Sequence, residues 1–390
     1  MRTPVPGLIL VVMIIAGCYQ PAVVYQRYQQ SEHTPEPVLV RVRLTVPDSG
    51  VVISAEPELQ VRIGGRAWKS KRVRVIFQPR GFRLADGDLP PQVFRDTAVI
   101  TSGSGLLRVG SRRYRGAVLV FFLSDSGRTV VVNRLPLEEY LYSVVPCEIG
   151  PVNPETYEAV KAQAMAARSF TLSRLGRREG LGYDLYDSYL RDQEYRGAGA
   201  ELVLASRAVD ETRGEVLMYQ NEVAEALYHG NCGGVTADGA NPSLISVRDS
   251  PGAGGRPFCS WSDNFSWRMS IGLDSIERTL ARLSGRSGRV RVKGVRLMRD
   301  NESHRVQKLY FKTDRGELTV NGADFRFALG LKSTFFELRI SRGKAIFEGK
   351  GWGHGVGMCQ DGAVGMSRLG YDYRQILKHY YPRLKLGRLY

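Results

Sequence analysis

Cysteine is scarce: the chain of 390 residues has five, and beyond Cys18 only Cys147, Cys232, Cys259 and Cys359 remain. That is too few to staple a fold with a disulfide framework. Outside the first twenty residues no apolar run approaches the roughly 20 residues that a membrane-spanning helix needs. There is no fixed-period repeat and no low-complexity tract, so solenoids and compositionally disordered chains drop out. Acidic residues are outnumbered, 39 against 55 lysines and arginines, for a net charge of +16. The basic residues are spread along RVRVIFQPRGFR, GSRRYR and SGRSGRVRVKGVR rather than gathered in one block.

What is present begins with a leader. MRTPVPGLILVVMIIAGCYQ carries one early positive charge at Arg2, an apolar run from Leu8 to Ile15, and small residues before Cys18. That is the pattern of a secretory signal. Ile15-Ala16-Gly17-Cys18 resembles a bacterial lipobox, in which the cysteine is lipidated and becomes the mature N-terminus. Residues 1–18 are therefore expected to be a lipoprotein signal and 19–37, polar and proline-bearing, a flexible tether. The expected location is the cell envelope, with a membrane-anchored body facing the periplasm or cell wall. ATP and nicotinamide cofactors are scarce there, and the dispersed positive charge suits anionic polymers or lipid head groups better than nucleic acid.

The rest, with 43% hydrophobic residues, can bury a real core. VLVRVRLTV alternates Val40, Val42, Leu44 and Val46 against Arg41, Arg43 and Thr45, the period of a half-buried strand. ELQVRIGG, RVRVIF, YRGAVLVFFL and GRTVVVN repeat the style, so 38–133 reads as a β-rich region. From 134 to 390 helices and strands mix. LPLEEYLYSVVPCEIGP starts helically and is expected to stop at Pro146. A second helix follows with Asn153 as cap and Pro154 in its first turn. Its alanines make it slim, and Lys161 and Arg168, seven residues apart, share a face. LDSIERTLARL predicts an amphipathic helix, RVKGVRLMR and KLYFKTD predict strands, and the fold class is α+β.

Gly351-Trp352-Gly353-His354-Gly355-Val356-Gly357 crowds glycines around a histidine. A phosphate loop would end in Gly-Lys-Ser/Thr, whereas Met358, Cys359 and Gln360 follow here. The glycines permit close backbone approach, either to a bound molecule or to the protein itself in a tight turn.

LPLEEYLYSVVPCEIG, PETYEAVKAQAMAARSFTL, YHGNCGGVTAD, FALGLKSTFFEL and GWGHGVGMCQDGAVGMSRLGYDYRQILKHYYP stand in the order and spacing of the stage II sporulation protein D (SpoIID) family, and over about residues 100–385 the chain resembles it. The resemblance implies a lytic transglycosylase cutting peptidoglycan glycan strands, peptide-stripped ones above all, with Glu148 as the single acid and base. Some relatives are amidase enhancers, which implies as the alternative a non-catalytic glycan-binding activator of an N-acetylmuramoyl-L-alanine amidase. A structural lipoprotein with neither role is the third reading. Lys161, Gln163, Arg168, Gln193, Tyr195, His354 and Gln360 match positions expected to contact glycan. His229, Cys232 and Cys259 resemble a zinc-binding set in some relatives. A structural zinc, a Cys232–Cys259 disulfide and free thiols stay open for them, and no cofactor is required for catalysis. Three departures from the family pattern stand out: Cys147 directly precedes the acid and Cys359 stands where serine is common, which suggests an oxidisable pair near the site, and Asp361 replaces a usual aromatic.

Overall fold

The computed structural model describes residues 37–85, 92–252 and 254–390. The leader with Cys18, and the tether except for its last residue, lie outside them. No helix among the described residues is long and apolar enough to cross a membrane.

The alternating segments assemble as expected into a large sheet of eleven strands. Leu39–Arg43 pairs antiparallel with Arg128–Pro136, which continues through Ala117–Leu123 and Ala98–Ser102 to the long hairpin of Gly50–Ile63 and Arg66–Gln78. Gly64 and Gly65 close that hairpin with positive φ of 53° and 76°, a two-residue turn whose twist matches the strands. Val40, Val42, Ile53, Val61, Val73 and Val75 turn inward and are fully buried.

Seven α-helices follow among the described residues: α1 Leu137–Glu148, α2 Tyr157–Arg174, α3 Val203–Glu211, α4 Leu273–Leu283, α5 Gly322–Leu329, α6 Gln360–Arg368 and α7 Tyr373–Tyr380. Contrary to expectation, α1 runs through Pro146. The proline sits in the last turn, where it removes a single backbone bond. Val144 and Val145 just before it are fully buried, and the Ile149 amide still reaches the Val145 carbonyl at 3.1 Å. Asn153 caps the next segment as expected, its Oδ1 accepting from the amides of Glu155 and Thr156. α2 is enclosed almost throughout, and its fully buried Ala159, Ala162, Ala164, Ala166 and Ala167 let neighbouring backbones approach.

The large sheet, α1, α2, α3, α6 and α7 share one hydrophobic core from Val38 to Leu389, so residue 133 marks no break in packing. A second core is separate. Ile276 and Leu280 of α4, Phe325 of α5, and Leu309, Phe311, Phe336 and Phe347 of two three-stranded sheets form it within 266–350. This second unit leaves the body at Ser266 and returns at Lys350, opposite it in the same sheet.

Candidate active site

Glu148 ends α1, half-buried, where a helix rising from the sheet meets the loop 187–196. Its Oε1 accepts from the Glu194 amide at 2.6 Å, and the Gln360 side chain at the start of α6 lies beside the carboxylate and favours its charged form. Gln163, fully buried on α2, accepts from Gln360 Nε2 at 3.4 Å and keeps its own Nε2 unpartnered. Burial pushes the Glu148 carboxyl up to about 7; the Glu194 amide opposes the rise, the Glu194 charge adds to it, and the Gln360 contact opposes it. The acid thus keeps its proton to near neutrality while staying within reach of solvent. This combination can deliver a proton to an oxygen and take one back.

The loop that presents Glu194 is held by buried side chains. Gln193 accepts from Tyr140 and Thr171 and donates to the Tyr228 hydroxyl at 2.8 Å. Tyr195, 1% exposed, donates to Asn133 Oδ1 at 2.6 Å. Both were expected to touch sugar. Their polar atoms are instead committed inside the protein, where they position the Glu194 amide. That role has no side-chain signature at residue 194, so the sequence offered no signal for it.

The shared face of Lys161 and Arg168 is real but turns to α3 rather than to ligand. Arg168, 0% exposed, makes a two-pronged ion pair with Glu138 (2.9 and 2.7 Å) and caps the carbonyls of Val209 and Glu215. A guanidinium so satisfied has nothing left for a muramyl carboxylate. Lys161 pairs with Glu158 and Glu211 at 3.1 and 2.9 Å.

The glycine loop packs against protein. Added Cβ atoms at Gly351, Gly353 and Gly357 would fall 2.5 Å from the Asn231 carbonyl oxygen, 2.9 Å from His229 Cβ and 2.0 Å from the Leu227 carbonyl oxygen. All three have positive φ, so the motif packs closely on 227–233 as a tight turn, rather than as the glycan-gripping loop that the resemblance implied. Between the glycines, Trp352 and His354 face outward. Both His354 nitrogens are engaged, Nε2 with the Tyr228 carbonyl (3.0 Å) and Nδ1 with the Val356 amide (3.1 Å), which leaves only the ring's carbon edge for a ligand.

The expected metal set changes. His229 turns its Nδ1 to the Val356 carbonyl at 3.1 Å and does not join the thiols. Instead Cys232, Cys259, Cys359 and Asp249, all buried, bring four donor atoms within 4.8 Å of one another. The Cys232 and Cys259 sulfurs lie 3.6 Å apart as free thiols, and Cys359 belongs with them rather than with Cys147. The Cys232 and Gly362 amides donate to Cys359 Sγ, and the Gly234 amide to Cys232 Sγ. The Cys259 amide donates to Asp249 at 2.9 Å, and Tyr380 donates to its other oxygen. Three sulfurs and one carboxylate, two of the sulfurs and the carboxylate already oriented by donors, match the four-donor, sulfur-rich demand of a structural zinc site. Cys359 was missed because its partners lie about a hundred residues away in the chain.

At Asp361 the carboxylate accepts from Asn231 at 2.9 Å and the carbonyl from the Trp261 indole at 2.8 Å.

The family model "Stage II sporulation protein" matches residues 125–219, and one for a domain of unknown function matches 259–357. An uncharacterized protein of Brachyspira hyodysenteriae is 30% identical over 294 residues, 74% of this chain and 76% of that one. Stage II sporulation protein D of Bacillus amyloliquefaciens is 30% identical over 279 residues, 66% and 75% of the two chains. The amidase enhancer of Bacillus subtilis is 25% identical over 335 residues, 72% of this chain and 45% of its own length.

Proposed function

The chain belongs to the stage II sporulation protein D family, and from that premise we propose that it is a cell-envelope lytic transglycosylase that cleaves peptidoglycan glycan strands, peptide-stripped ones above all. The observation that carries this reading is the Glu148 carboxyl, raised to about 7 by burial and held by the Glu194 amide and Gln360.

Neutral Glu148 gives its proton to the glycosidic oxygen as the bond from C1 of the muramyl sugar breaks. The same sugar's C6 oxygen then bonds to C1 and loses its proton to the Glu148 carboxylate, which closes an anhydro ring and restores the acid. One carboxyl serves both transfers and water adds nothing. The paired carboxylates of ordinary glycosidases are therefore unnecessary. Gln360, with the buried Gln163 behind it, borders the acid and fixes the polar wall on that side. In the proposed setting a lipid on Cys18 tethers the body outside the membrane.

A second reading, a glycan-binding activator of a cell-wall amidase, draws on the similarity to the amidase enhancer. Mass spectrometry decides between the two. Protein lacking residues 1–18 is incubated with intact and with amidase-stripped peptidoglycan, beside Glu148→Gln. Anhydromuramyl products from stripped glycan that vanish in the variant support the transglycosylase. Glycan pulled down with no release from either substrate favours the activator.

A further inference from the structure

Beside the thiol cluster lies a buried cation that glycan cleavage does not use. Arg305 belongs to the second unit and is 4% exposed. Its guanidinium packs flat on Gly355, where an added Cβ would come 2.2 Å from Nε. Nη2 donates to the Cys232 carbonyl at 2.8 Å, and the Phe335 ring centre lies 5.8 Å from Cζ. Nε and Nη1 have no hydrogen-bond partner among the described residues. Arg326 and the two imidazoles of His229 and His354 lie nearby and offer no negative charge, whereas Cys232, Cys259 and Cys359 face it.

A guanidinium removed from water without a counter-charge costs several kcal/mol. Three neutral thiols supply none. Three thiolates and a carboxylate around a divalent ion leave a net charge of minus two, which does. We propose that Cys232, Asp249, Cys259 and Cys359 form a tetrahedral site for a divalent thiophilic ion, zinc above all, and that Arg305 is its counter-cation, tying the second unit to the body at this point. This donor set excludes His229, and the claim is independent of glycan cleavage.

The test uses the full chain, reduced and stripped of metal, then titrated with Co²⁺ and competed with Zn²⁺. The expected result is one ion per chain, a sulfur-to-cobalt charge-transfer band, and displacement by zinc. Arg305→Gln weakens zinc binding by 10- to 100-fold, as loss of an outer-shell partner does, and Arg305→Lys restores most of it. His229→Ala leaves zinc affinity unchanged, and Cys359→Ser diminishes the charge-transfer band. Should Arg305→Gln fail to fold, hydrogen exchange on the wild type still reads the tie: zinc slows amide exchange in 299–306 at least several-fold. Cobalt bound without the sulfur band would overturn the proposal. So would a Cys232–Cys259 disulfide in protein isolated without reductant, unchanged zinc affinity in folded Arg305→Gln, or exchange in 299–306 indifferent to zinc.

Discussion

Two groups of acids flank one short strand pair, and the protein surrounds them with different neighbours. Tyr228–His229 runs parallel to Met358–Cys359. Through Tyr228 and Gln360 this pair borders Glu148; through Cys359 it borders the thiol cluster. Both sites are enclosed. Around Glu148 the acting groups are one backbone amide, one side-chain amide and another carboxylate, so burial prevails and the proton stays. Around the sulfurs burial likewise raises Cys232, Cys359 and Asp249, and only Cys259, beside the Cys232 and Cys359 sulfurs, is lowered, while several amide donors, a helix N-terminus at Cys359 and a buried guanidinium stand against the cluster. Burial alone does not set the state of a buried acid. What its neighbours offer the anion does.

Giving Glu148 what the thiols have should therefore disable it. Gln360→Lys sets a cation against the carboxylate and returns its pKa toward the ordinary 4.5. We expect glycan release at neutral pH to fall about 100-fold, the scale of general acid catalysis, with the alkaline limb of the rate–pH profile moved down. An unmoved limb would mean that another group titrates in that limb.

A smaller effect lies in stability. Folding raises the carboxyl from 4.5 to about 7, so the fold favours its neutral form. That contribution is full below pH 4.5 and is lost as pH rises through 7. Glu148→Gln, permanently neutral, should gain roughly 2–3 kcal/mol over the wild type above pH 7 and little below pH 4.5. Urea unfolding at both pH values checks this; equal curves at high pH would contradict it.

Gln360→Leu withdraws a donor from the carboxylate without adding charge. The alkaline limb should move up by less than one unit, opposite to the lysine variant. The smallest change is expected at Cys147, which adjoins Glu148 and is only partly buried. Iodoacetamide on the native protein should label Cys147 before Cys232, Cys259 or Cys359, and Cys147→Ser should shift stability by about 0.5 kcal/mol or less. Equal labelling of all four would mean that the cluster is open.

Much of this was legible in advance wherever the signal is local. Alternating Val40, Val42 and Leu44 announced strands, Asn153-Pro154 announced a helix start, and LDSIERTLARL announced an amphipathic helix, because each depends on neighbours within a few residues. The common face of Lys161 and Arg168 was legible too. Its meaning was not, since a basic stripe looks the same whether it meets water or, as here, Glu138 and Glu211. The four clustered side chains at positions 232, 249, 259 and 359 are likewise joined only by tertiary packing. Pro146 misled because the cost of a helical proline depends on its distance from the helix end, which is itself set by burial of Val144 and Val145.

The neighbouring exit and return of the second unit, Ser266 against Lys350, bears on how such proteins diversify. A module whose two ends meet can lengthen, shrink or be traded over evolutionary time without disturbing the distance from Glu148 to its supports. Lineages are then free to reshape the outer surface of this unit while the surroundings of Glu148 stay constant. If Arg305 balances the cluster beneath it, an exchanged module inherits one obligation: it must bring a positive charge to the same place.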